Sequence, residues 1–136
     1  MTLQPVSMSV SLTADRSWLG SLHGTDQTET ITLDMTTFTS GTHYFPSADT
    51  TVPYSRVLSG LPVGKITASG LYGLYATGAT DGREDLAGFV FAEALFNPTQ
   101  TKVPAALLWH GSVHTAKLPV VVAPVAPSSS CLIRFV

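Results

Sequence analysis

Apolar and polar positions alternate with a period of two along much of the chain, the pattern of strands with one dry and one wet face. In residues 6–12, Val6, Met8, Val10 and Leu12 alternate with Ser7, Ser9 and Ser11. Thr30-Ile31-Thr32-Leu33 alternates again inside a threonine-rich stretch, whose β-branched residues favour extended backbone. That stretch carries few large apolar residues, so two placements stay open. It is a first strand of the domain, or an extended arm that adds to a neighbour's sheet edge through backbone hydrogen bonds. Residues 1–50 are read as an extended N-terminal arm or first strands, with the arm preferred for part of them. Trp18 is either a satellite core residue or an interface contact.

From residue 51 to 123 short strands follow one another between glycine and proline turns. Strands are expected at 56–58, 64–67, 71–75 and 86–91, separated by Ser59-Gly60-Leu61-Pro62, Ser69-Gly70 and Asp81-Gly82. Residues 65–91 form the centre of this unit. Gly88 falls inside a strand, which marks a bulge or a close backbone approach and would let two chains pack tightly. Tyr44, Phe45, Pro46, Pro53 and Tyr54 read as a loop covering one end of the sheet. Residues 92–95 read as one helical turn, stopped by Asn97-Pro98. Residues 103–113 read as one buried strand broken at Gly111, and 118–122 as another apolar strand. Residues 124–136 are a Pro/Ser link and a strand-like tail. The expected fold is mainly β, a small β-rich α+β unit. It is a compact sheet or barrel-like domain with an extended N-terminal arm and at most short helices.

Composition narrows the function. At 136 residues the chain is one domain, long enough to bury roughly 68% of its unfolded surface without disulfides or metal. Only 12% of residues are charged, against roughly 25% in a typical domain, so copies repel one another weakly, as suits an assembled protein. The net charge is -2, and the three Lys and four Arg are scattered, which argues against nucleic acid as a partner. The N-terminus lacks the basic and apolar regions of a signal peptide, and no apolar run is long enough to span a bilayer. A soluble protein made in the cytoplasm is expected, with no membrane partner.

Candidate chemistry is thin. His110 and His114 are four apart, but in a strand that spacing separates them by about 13 Å, and no H-E-x-x-H pattern accompanies them. Asp81, Glu84 and Asp85 lack the ligand order of a calcium loop, and Arg83 sits among them, so the corner reads as a solvated turn or a charged rim. Cys131 is the single cysteine and has no orienting motif around it, so it reads as a buried or incidental thiol. No catalytic, cofactor-binding or metal-ligating residue is assigned.

Residues 64–67 (GKIT), 69–75 (SGLYGLY), 80–82 (TDG) and 87–90 (AGFV) together resemble the tailed-bacteriophage head decoration proteins, the lambda-type protein D family. VPAALLWHGSVHTAKLP is similar to that family's closing region, and the resemblance covers residues 56–119. The long leader and the APVAPSSSCLIRFV tail depart from a minimal member. The resemblance implies a β-rich domain that forms homotrimers and binds the major capsid protein on the outer surface of the expanded head. It implies a virion protein made in a bacterial host, which reinforces the shell against packaged DNA, with an N-terminal arm contributing to attachment.

Within that expectation, Val6, Met8, Val10 and Leu12 with Thr30, Ile31 and Leu33 are assigned to the shell-binding arm. Gly88, Phe89 and Trp109 are assigned to the trimer or core side. On this reading, removing residues 1–33 leaves a folded domain that no longer binds capsids. Three linked arms would gain by avidity. Another virion β-domain (tail, baseplate or receptor-binding) is the alternative. A small metal hydrolase using His110, His114 and Asp81 is the competitor from another class.

Overall fold

The computed structural model describes residues 16–46, 54–126 and 131–136. The described residues form ten short strands and two 3-10 turns, so the mainly β expectation holds. Five strands close a barrel: β1 (Glu29–Asp34), β4 (Pro62–Lys65), β5 (Tyr72–Leu74), β6 (Gly88–Val90) and β8 (Lys102–Leu108). Their order around the barrel is β1-β5-β4-β6-β8. β1 and β5 run parallel and the other neighbours antiparallel. Beside the barrel lies a three-stranded sheet of β2 (Tyr44–Phe45), β3 (Ser55–Val57) and β7 (Ala94–Phe96). A two-stranded parallel sheet joins β9 (His110–Val113) to β10 (Leu132–Phe135).

Period-two alternation sorts the apolar residues into two cores. Ile31 and Leu33 of β1, Val63 of β4, Val90 of β6 and Val103, Ala105 and Leu107 of β8 belong to the first, with Val57 and Phe96. Their strand neighbours Phe89 and Leu108 face the other way. They build the second core with Trp18, Val113, Cys131 and Ile133, between the barrel wall and the β9–β10 sheet. Trp18 is 1% exposed. Its Nε1–H donates to Ser59 Oγ at 3.0 Å, and that hydroxyl donates to the Phe91 carbonyl at 2.8 Å. A buried indole thus keeps its polar atom satisfied. Trp18 is a core residue, which resolves the open choice of the sequence.

Several expectations need correction. Thr30-Ile31-Thr32-Leu33 is not a free arm: β1 pairs with β8 from Glu29↔Leu107 to Asp34↔Lys102 and is part of the barrel wall. Residues 18–20 are also docked on their own domain. Gly20 N–H donates to the Ser112 carbonyl and His114 N–H to the Trp18 carbonyl, with an antiparallel bridge between Leu19 and Val113. Of the two placements left open for the threonine-rich stretch, residues 29–34 take that of a strand of the domain. Residues 94–96 are strand rather than helical turn, because pairing with β3 satisfies their backbone groups. The 103–113 run breaks at Trp109, between β8 and β9, and Gly111 lies inside β9. Residues 118–122 are not a strand; Val122 is buried but Val121 is 97% exposed. Tyr44 and Phe45 form a strand instead of a loop.

Candidate functional site

The sequence assignments separate cleanly in space. Ile31 (5% exposed) and Leu33 (0%) point into the first core and Phe89 (0%) into the second, so none of the three is available to a partner in the folded domain. Thr30 is exposed on the outer side of β1. Gly88 is buried at the β6–β8 contact, where a Cβ would collide with the Leu108 carbonyl. Its close approach is within the chain rather than between chains. Trp109 is half-buried against the first core, and its Nε1–H donates to the Gln27 carbonyl at 2.7 Å. Val6, Met8, Val10 and Leu12 lie outside the described residues.

The charged corner behaves as a turn. Thr67 N–H donates to the Asp81 carbonyl at 3.0 Å and Ala76 N–H to the Arg83 carbonyl at 3.1 Å, which ties the corner to the ends of β4 and β5. Arg83 Nε is 3.0 Å from Asp81 Oδ2. The Arg83 backbone N–H lowers the Asp81 carboxyl from its ordinary value, opposed by desolvation and assisted by the Arg83 guanidinium. Beside the corner, a groove of about 480 Å3 includes Glu29, Lys65, Tyr72 and Asp85 together with Leu107 and Trp109. Burial, and then the charge of Glu29, push the Tyr72 phenol up. Cys131 is buried in the second core, and desolvation raises its thiol. Among the described residues no three His, Cys, Asp or Glu side chains gather to hold a metal. His110 faces His23 rather than His114. That pairing, 87 residues apart in the chain, left no local sequence signal.

The surface most like a protein contact is the outer face of the β2-β3-β7 sheet. Phe45, Arg56 and Leu95 lie directly opposite one another across its three strands. Phe45 is 47% and Leu95 49% exposed, and the Arg56 guanidinium sits 4.7 Å from the Phe45 ring centroid. Tyr54, 54% exposed, stands just before β3. The opposite face of the same strands carries Tyr44, Val57 and Phe96 into the core, so alternation forces the first set outward. A cleft of about 380 Å3 opens next to this row, between Arg56, Glu93, Lys117 and Pro119. Aromatic residues and Arg at a solvent face match the composition that anchors protein interfaces.

His43 supplies a pH-dependent element beside this sheet. It is 8% exposed, its Nδ1 accepts from Thr39 N–H at 2.8 Å, and burial lowers its pKa from 6.5. The unfolded chain therefore binds more protons than the folded one between the two pKa values. The resulting stability is complete above pH 6.5 and is lost as pH falls through the folded pKa. Thermal midpoints at stepped pH are expected to fall more steeply below pH 6.5 in the wild type than in His43→Asn. The variant cannot titrate but keeps an acceptor for Thr39 N–H.

Among the described residues no helix is long and apolar enough to cross a membrane. No family model, curated protein or solved structure matches the chain.

Proposed function

We propose that the chain is a capsid decoration protein that binds the outside of an expanded phage head as a homotrimer and stabilises the shell. The observation that carries this reading is the ordered set GKIT, SGLYGLY, TDG and AGFV. Its support from the fold is that these segments adjoin one another. β4 pairs with both β5 and β6, and the TDG corner is hydrogen-bonded to Thr67 at the end of the GKIT segment. Shell attachment falls to residues 6–12, the part of the proposed arm that lies outside the described residues. The Phe45–Arg56–Leu95 row is the contact between copies, replacing Gly88 and Phe89. A ring closed by such contacts bridges several capsid subunits, so separating any two of them also breaks a decoration contact.

The test is co-sedimentation with expanded heads, unexpanded heads and tails, followed by imaging of the particles. Saturable binding to expanded heads alone, with density at threefold positions, is the expected result. Binding to tails, or to neither, overturns it. Leu95→Asp places a charge on an exposed side chain and is expected to leave the domain folded while light scattering shows loss of the trimer and capsid binding weakens. A Leu95→Asp protein with wild-type mass and binding removes this row from the contact.

A further inference from the structure

We propose that His23 and His110 form a binding site for one divalent transition-metal ion, with zinc as its representative. The two Nε2 atoms stand 3.3 Å apart, with ring centroids at 4.6 Å and planes at 77°. Two nitrogens each about 2.05 Å from a tetrahedral ion are separated by about 3.3 Å, so the rings hold the bite that such an ion requires. Imidazole nitrogen suits zinc, copper and nickel, and both rings supply it when the ring proton is on Nδ1.

The fold holds the His110 ring and the backbone of the loop that carries His23. His110 lies on β9 and stacks on Trp109, with ring centroids 5.5 Å apart and planes at 26°. Trp109 in turn donates to Gln27, at the end of the loop that carries His23. That loop is closed by Thr25 N–H to the Leu22 carbonyl at 3.2 Å and Gln27 N–H to the Gly24 carbonyl at 3.1 Å. Gly24, with φ of +82°, lies so close to the His110 carbonyl that any Cβ there would collide with it. With one ring and the loop backbone held this way, binding orders little beyond the His23 side chain. The pair is exposed, so water can fill the other coordination positions, and among the described residues no third His, Cys, Asp or Glu joins it. The bound ion fastens the 21–27 loop to the β8–β9 corner.

The test is titration of untagged, chelator-treated protein with Zn2+ at neutral pH, read by calorimetry and by histidine ring NMR signals. One saturable equivalent is expected, shifting the His23 and His110 resonances and leaving His43 and His114 in place. His23→Gln and His110→Gln should each lose that site, while His114→Gln keeps it. Zn2+ should raise the thermal midpoint of the wild type and not of the two site variants. No saturable equivalent, or one retained in both His23→Gln and His110→Gln, overturns the proposal and leaves a plain N–H···N contact between the rings. The readout needs no capsid, so its outcome is independent of the decoration reading.

Discussion

A chain lacking residues 2–34 is expected to lose cooperative folding altogether, whereas one lacking residues 2–15 keeps it. The five described strands of the barrel begin at Glu29, so the shorter truncation keeps all of them and the longer one removes β1. With β1 gone, β8 loses its partner along the whole Glu29–Asp34 register and the barrel opens. Trp18, Ile31 and Leu33 leave their cores at the same time. Truncating three such side chains to alanine costs at least about 7 kcal/mol in total, before lost strand pairing is considered. A domain's whole stability is about 5–15 kcal/mol. Circular dichroism and a heating scan of both truncations check this. A sharp transition in the longer one would show that β1 is dispensable. The comparison also defines the capsid experiment: the deletion that tests attachment is 2–15, because removing residues 1–33 would abolish binding simply by unfolding the protein.

How far the chain's pattern disclosed its fold can be argued from these same residues. Alternation at Thr30-Ile31-Thr32-Leu33 identified a strand correctly. It carried no information on whether the partner was the chain's own β8 or a neighbour, since backbone pairing is blind to side chains and β8 lies some 70 residues on. At residues 92–95 local composition suggested a helical turn, and tertiary pairing overrode it: Leu95 sits opposite Arg56, and Ala94 opposite Val57. The 118–122 run is apolar enough for a strand, but Pro119 withholds a donor and the run joins no sheet. The strand-like pattern of the tail corresponds to β10, which pairs in parallel with β9 of its own chain. The exposed Phe45–Arg56–Leu95 row was invisible because its members come from three separate strands. The same holds for His23 and His110, which only the folded loop brings together.

Gly88→Ala is expected to destabilise the isolated domain by about 2–6 kcal/mol, from overpacking of about 1–3 and backbone strain of about 1–3 kcal/mol. Its φ is +155°, and the new methyl would meet the Leu108 carbonyl and a Leu107 methyl in the wall shared by β6 and β8. Neither strand can retreat, because Phe89 and Leu108 fill the second core while Val90 and Leu107 fill the first. Two other glycines calibrate the measurement. Gly78 has open space around it, so Gly78→Ala should stay within about 0.5 kcal/mol of wild type. Gly70 also has space but a φ of +74°, so Gly70→Ala isolates the backbone strain at about 1–2 kcal/mol. Urea midpoints should fall least in Gly78→Ala, further in Gly70→Ala and furthest in Gly88→Ala. The loss in Gly88→Ala should also be independent of protein concentration, because the collision lies inside one barrel. A loss that appears only where copies associate would instead place Gly88 at a contact between chains and move the proposed trimer surface away from the Phe45–Arg56–Leu95 row.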